Sequence, residues 1–106
     1  MLKNATDFFF SQAEDIQSEI DLFVKNSVDE LNSKGFVDVT YHTQHIQPGA
    51  TYLFIKRLTD QLNLKSWRVT VGSGGVRLGS AASEIHLTII GDYAELLDDE
   101  ALGAWG

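Results

Sequence analysis

The apolar residues of this chain follow two different spacings. Between residues 6 and 33 they recur every three or four positions, which places them along one side of an α-helix. Asp7 near the start and Lys34-Gly35 after the end favour these bounds, because the helix dipole attracts an acid at its amino end and a glycine commonly terminates a helix. The pattern predicts a long first helix over residues 6–33, with Thr6 as its N-cap, and with this apolar side: Phe9, Ala13, Ile16, Ile20, Phe23 or Val24, Val28 and Leu31.

Three shorter stretches alternate apolar and polar residues, which is typical of β-strands. They are residues 36–42, 67–71 and 84–90. The glycine-rich residues 72–80 separate the last two, so we expect a turn there and an antiparallel hairpin or meander, with room for a short fourth strand at residues 76–78. One face of this hairpin is expected to carry the core residues Val69, Val71, Leu87 and Ile89.

Residues 50–63 fit either spacing. The run from Tyr52 to Ile55 could be a strand returning from a hairpin at Pro48-Gly49, whereas the longer window has helical spacing. We favour a helix, because Pro48 suits a first turn and residues 60–63 have poor strand composition. Asn63 would then be its left-handed cap, and Leu64 would close its end.

The order of elements predicts an α+β domain: helix, strand, helix, two strands and an acidic C-terminal tail. A small, mainly antiparallel sheet of three or four strands would be covered on one face by the two helices. The 106 residues fit a single domain, with a sheet core over residues 36–91 and the tail over residues 92–106. The first helix would be about 40 Å long, more than the width of a compact domain of this size. We therefore expect it to overhang, to break near Asn26-Ser27, or to pair with a second copy in a homo-oligomer.

The net charge of −7 is unevenly distributed. Residues 1–34 hold seven acids and three bases, residues 35–91 hold three acids and five bases, and residues 92–106 hold five acids and no base. A negative field opposes binding to nucleic acid, which depends on neutralising phosphates. It suits a protein partner with a basic surface, because long-range attraction steers the encounter.

The chain has no cysteine, so it can form neither a disulfide nor a thiolate metal site. No segment has the features of a signal peptide, and the apolar runs are too short to span a bilayer. We expect a cytoplasmic protein without membrane contact. No cofactor is expected either, because the glycine segment does not open a helix and lacks the Walker lysine.

The three histidines are His42, His45 and His86. Residues three apart on a strand face opposite ways, so we predict no metal site. His86-Leu87-Thr88 has the form His-x-Thr on a strand, and it resembles one half of the signature of the two-histidine phosphoesterases. That family uses two such motifs as acid and base on a phosphodiester. The resemblance covers residues 85–89 only, since neither His42 nor His45 begins a second His-x-Thr.

Two further groups of residues are candidates for binding. Gly74, Gly75 and Arg77 could form an anion site, because consecutive backbone N–H groups can cradle an anion. Bases beside aromatic residues can bind single-stranded nucleic acid. The central segment offers such a set: Lys56, Arg57, Lys65, Arg68 and Arg77, with Tyr41, Tyr52 and Trp67.

The leading hypothesis is a small acidic, non-enzymatic binding protein, such as an inhibitor, an adaptor or an assembly subunit. In its sharpest form it would imitate the charge of a nucleic acid. No catalytic residue is assigned under this hypothesis, and the contacts would come from both ends of the chain: Glu14, Asp15, Glu19, Leu97, Asp98, Asp99, Glu100 and Trp105. The alternatives are a nucleic-acid-binding module that uses the central bases, and a small phosphoesterase that uses His86.

Overall fold

The computed structural model describes residues 1–92, and residues 93–106 lie outside the described part. Two helices pack on one face of a three-stranded antiparallel sheet, which confirms the predicted α+β class. The predicted tail contacts at Leu97, Asp98, Asp99, Glu100 and Trp105 fall outside the described residues. The elements in chain order are α1 (Ala5–Lys34), β1 (Phe36–His42), α2 (Thr51–Asn63), β2 (Trp67–Arg77) and β3 (Glu84–Gly91).

Helix α1 runs unbroken for 30 residues. The side chain of Asn4 accepts a hydrogen bond from the N–H of Asp7 at 3.0 Å, so Asn4 rather than Thr6 is the N-cap. The helix ends where Gly35 adopts a left-handed φ of 68° and donates its N–H to the Leu31 carbonyl. Of the three alternatives for this long helix, a break near Asn26-Ser27 is wrong, because α1 is continuous through these residues.

Helix α2 resolves the ambiguity over residues 50–63 in favour of a helix. A single 3₁₀ turn at Pro48–Ala50 leads directly into it, and Pro48 begins that turn rather than the first turn of α2. The end differs from the prediction. Ser66, not Asn63, takes the left-handed conformation, with φ 64°, and Leu64 is 86% exposed and so does not pack against the helix end.

Strand β3 lies at the centre of the sheet, in the order β1-β3-β2. Its residues Ile85, Leu87 and Ile89 are fully buried beneath the helices, as the alternating pattern predicted. The prediction was wrong for Val71, which pairs with Leu87 but is 38% exposed, and Val69 is only half-buried. Both valines belong to β2, an edge strand that has no neighbour beyond it among residues 1–92.

The glycine-rich segment is not the turn that the sequence predicts. Residues 72–77 continue β2, and the connection to β3 is formed by residues 78–83. The ladder pairs Val71 with Leu87 and then Val76 with Ile85, so residues 72–75 stand opposite His86 alone. These four residues form an enlarged β-bulge, here named the glycine bulge.

The core lies between the helices and the sheet. Tyr41 of β1 is at its centre, with its ring edge-to-face against Phe23 of α1 at 5.2 Å and stacked on Phe54 of α2 at 5.8 Å. Such aromatic contacts tie both helices to the same strand. Within residues 1–92 neither helix is long and apolar enough to cross a membrane.

Candidate functional site

The sheet face opposite the helices is open and polar. Register places Asp38 of β1 opposite Thr88 of β3, and Thr40 opposite His86. His86 Nε2 lies 2.5 Å from Asp38 Oδ1, and the Thr88 hydroxyl donates to the same oxygen at 3.3 Å. The carboxylate therefore orients the imidazole. The other ring nitrogen, Nδ1, has no hydrogen-bond partner among residues 1–92 and is not fully buried.

The glycine bulge is shaped around the His86 ring. A Cβ at Gly72 would lie only 2.3 Å from His86 Nδ1, so any larger residue there would displace the imidazole. Gly75 has φ +66°, a conformation that other residues adopt at a cost. The glycines predicted as a flexible turn thus make space for a side chain of the central strand.

A shallow depression of about 180 Å³ lies beside this ring, lined by Thr40, Gly74, Gly75, Arg77, Glu84 and His86. It contains all three residues predicted to bind an anion. However, the Glu84 carboxylate lies 4.0 Å from Arg77 Nη1 and 3.6 Å from His42 Nε2. A carboxylate in this position would repel an anion, so Glu84 weakens the case for an anion site. The anion site stays a prediction.

The histidines do not converge. His42 and His86 belong to the open sheet face, whereas His45 lies in the loop after β1. In the part of the chain that the structure describes, no group of three or more metal-ligating side chains could hold an ion.

Glu19 is not on the acidic outer surface where the sequence hypothesis placed it. It is fully buried, and its carboxylate accepts three hydrogen bonds: from the Tyr41 hydroxyl, and from the backbone N–H groups of Gln44 at 2.7 Å and His45 at 2.8 Å. These donors stabilise a buried charge. Glu19 therefore anchors the loop after β1 to α1, and it is unavailable to a partner.

Tyr41 donates to this carboxylate from within the core. Burial raises the pKa of the Tyr41 phenol well above its usual value, and the hydrogen bond to Glu19 and its negative charge raise it further. The buried ring cannot stack on a nucleic-acid base. Trp67 is half-buried against the core, so among the proposed stacking aromatics only Tyr52 is largely exposed.

The central bases are also partly neutralised. Lys56 Nζ lies 3.2 Å from Asp60, one helical turn further along α2, and Arg77 lies near Glu84. Lys65 and Arg68 are exposed. These bases lie on α2, on the loop that follows it and on β2, without the row of accessible aromatics that single-stranded nucleic acid requires.

A second concave surface, here named the edge groove, runs between α1 and the outer edge of β1. It has a volume of about 230 Å³ and is lined by Phe23, Asn26, Ser27 and Glu30 of α1 and by Val37, Asp38, Val39 and Tyr41 of β1. Its floor is apolar, because Phe23, Val37 and Tyr41 are core residues that reach this boundary. Its rim carries the exposed carboxylate of Glu30, whereas the carboxylate of Asp38 lies on the other face of β1, where it contacts His86.

The strand beside this groove presents an unpaired backbone edge. β1 has β3 on one side and no strand on the other within residues 1–92. In an antiparallel sheet, alternate residues of an edge strand direct N–H and C=O groups away from the sheet. The hydrogen bonds found among residues 1–92 include none to these outward groups of β1.

The remaining predicted contact residues on α1 are accessible. Glu14 and Asp15 are both exposed. The same helix exposes Phe10, at 75%, and Phe9, at 39%, near its amino end, while its central apolar residues pack against its own core. The possible pairing of α1 with a second copy therefore remains a prediction.

No protein-family model, no curated protein and no solved structure matches the chain.

Sequence reasoning missed the edge groove, because it depends on which strand lies at which edge. The burial of Glu19, in contrast, had a signal. Glu19 comes three residues after Ile16 and four before Phe23, which is the spacing of the apolar side itself.

Proposed function

We propose that this protein is a small acidic, non-enzymatic binding domain that contacts another protein through the edge groove and its acidic surroundings. One observation carries the proposal. The edge groove combines an apolar floor, the exposed carboxylate of Glu30 and the unpaired edge of β1, and the other face of that strand carries the carboxylate of Asp38. Apolar surface and open backbone groups supply affinity, and the carboxylates favour a basic partner.

The net charge of −7 supports the same kind of partner, because it would attract a basic surface from a distance. Glu14 and Asp15 extend the negative surface along α1. Such contacts would suit an inhibitor, an adaptor or an assembly subunit. If the protein imitates the charge of a nucleic acid, its acidic surface would determine which partner it binds. A cytoplasmic location remains part of this proposal.

A photo-crosslinking amino acid tests the proposal. Placed at Asn26, on the groove, it should form an ultraviolet-dependent adduct with another polypeptide in extracts of the cells that make this protein. The same amino acid at Asp21, on the far side of α1, should not. The adduct should weaken when Glu30→Lys is added, and the captured polypeptide, once purified, should bind the wild type more tightly than that variant. Equal adducts from both positions, or none, would contradict a binding site in the groove.

A second candidate, phosphodiester hydrolysis, is favoured by the arrangement at His86. Asp38 orients the ring, Nδ1 forms no hydrogen bond within residues 1–92, and Arg77 lines the adjoining depression. A histidine held in this way can act as a general base. Our expectation is that His86 is dispensable, so bis(p-nitrophenyl) phosphate should not be turned over above background. Turnover that is lost in His86→Ala and retained in His42→Ala would favour this candidate instead.

A further inference from the structure

The outer edge of β1 is unusually suited to accept another strand. β1 pairs with β3 without interruption from Phe36 opposite Ile90 to His42 opposite Glu84. Proteins commonly protect a sheet edge with proline, lysine, a bulge or a covering segment. β1 contains no proline, lysine or bulge, and no strand within residues 1–92 pairs with its outer edge. Asp38 is the one side chain on it with a fixed charge.

The edge groove would accept side chains from an added strand. Successive side chains on a strand point to opposite faces, so every second one would face α1 and the rest would lie beside the open sheet face. The helix-facing ones would meet the apolar floor at Phe23, Val37 and Tyr41. A volume of about 230 Å³ exceeds the ~150 Å³ of a cavity that holds benzene, so it can admit one large apolar side chain.

Charge indicates the chemistry of the other side chains. Glu30 is exposed on the rim and forms no ion pair with any of residues 1–92. Asp38 lies on the open face of the same strand, where His86 contacts one of its two carboxylate oxygens and the side chain stays about half exposed. Lysine or arginine in the added strand would lie near these carboxylates. A second copy of the chain would instead bring two molecules of net charge −7 together and place acid beside acid.

We propose that β1 and α1 form a receptor for an extended segment of another polypeptide, which adds a fourth strand next to β1 and alternates apolar with basic residues. This inference rests on the proposed function and names the class of partner. The backbone hydrogen bonds of the added strand supply sequence-independent affinity, and the groove and the two carboxylates supply selectivity.

The test uses the full chain and a synthetic peptide in which valine and lysine alternate over the length of β1. A matched peptide carries N-methyl groups on the amides of one edge, which keeps its charge and side chains but removes those donors. A second matched peptide has glutamate in place of lysine. Fluorescence anisotropy measures affinity, and amide hydrogen exchange locates the contact. We expect the first peptide to bind and to protect amides of β1, and both matched peptides to bind much more weakly.

Two charge variants on opposite sides of α1 refine the test. Glu30→Lys should weaken binding about fivefold at low salt, because it replaces an attraction by a repulsion near the surface. Asp21→Lys, nine positions earlier and therefore on the opposite side of the helix, makes the same charge change and should alter binding by less than about twofold. Circular dichroism of both variants checks that the fold is retained.

Several results would overturn the inference. These are no binding of the valine-lysine peptide, equal binding of its N-methylated form, or protection at β2 rather than β1. Protection of β1 without peptide, rising with protein concentration alongside a dimer in sedimentation, would assign the edge to a second copy. If the Asn26 crosslink forms while the peptide result is negative, the proposed function stands and the strand-addition mode is wrong.

Discussion

The two edges of the sheet are built differently. β1 pairs with the central strand at every position from Phe36 to His42, whereas β2 is interrupted by the glycine bulge after Val71. A bulge bends its strand and breaks the regular row of groups that another chain could pair with. Only β1 lines the edge groove beside a helix. One sheet thus has an edge that discourages strand pairing and another that remains open to it.

The largest expected effect concerns the central strand, on which both edges depend. Leu87 is fully buried and pairs with Val39 of β1 and Val71 of β2. Leu87→Ala should lower the free energy of unfolding by about 2–5 kcal/mol through cavity formation. Val71→Ala, at the exposed edge, should cost about 1 kcal/mol or less. Denaturant titration of both variants checks this, and similar losses would contradict the difference in burial.

The next prediction concerns the anchor that holds the end of β1. Glu19→Ala would leave the Tyr41 hydroxyl and two backbone N–H groups without their acceptor inside the protein. We expect a loss of about 3 kcal/mol in the free energy of unfolding, because buried donors without partners are costly. Glu19→Gln keeps one acceptor oxygen and should lose about 1 kcal/mol. A loss below about 0.5 kcal/mol for Glu19→Ala would mean that the side chain is on the surface after all.

The next prediction concerns the β2 edge, and it tests whether the glycine bulge is shaped around His86. A Cβ at Gly72 would lie 2.3 Å from the His86 ring, whereas one at Gly74 would lie at an ordinary 3.8 Å. Gly72→Ala should therefore displace the imidazole from Asp38 and cost about 1 kcal/mol, and Gly74→Ala should change stability by less than about 0.5 kcal/mol. Unfolding experiments and the imidazole NMR signals measure both effects. Equal behaviour of the two variants would rule out a bulge shaped around His86.

The smallest effect on stability is expected in the acidic tail. Changing Asp98, Asp99 and Glu100 to their amides should alter the free energy of unfolding by less than about 0.5 kcal/mol. If these acids steer a basic partner, the change should slow association with the valine-lysine peptide at low salt, and added salt should erase the difference. Stopped-flow fluorescence measures both rates. Unchanged association at low salt would leave the tail with a solubilising role only.

The apolar tail residues should act differently if they reach the partner. Loss of Leu97 or Trp105 should then raise the dissociation rate rather than lower the association rate. A chain that ends at Gly91 serves as the control, because it removes both kinds of contribution together.

The sequence predicted the elements better than their arrangement. Apolar spacing is local, so it located α1, β1, α2 and β3 closely. The order of the strands depends on pairing between distant residues, which apolar spacing does not reveal. Because β3 is central and β2 is an edge strand, Leu87 is buried and Val71 is exposed. The glycines suggested a turn, but glycine is equally suited to a turn and to a bulge because it adopts conformations that other residues avoid. The pairing of Val76 with Ile85 beyond these glycines is what distinguishes a bulge from a turn.

The ultraviolet absorbance of Tyr41 can report when the folded core opens. The unfolded chain releases a tyrosine proton near pH 10, while the folded chain retains it because the pKa of the buried phenol is raised. The stability that this contributes is intact below about pH 10, and above it decreases by about 1.4 kcal/mol per pH unit until the folded phenol itself ionises. Phenolate absorbance from Tyr41 should therefore appear together with loss of helical structure in alkali. A rapid jump in pH would then record how often the core opens, without any attached label.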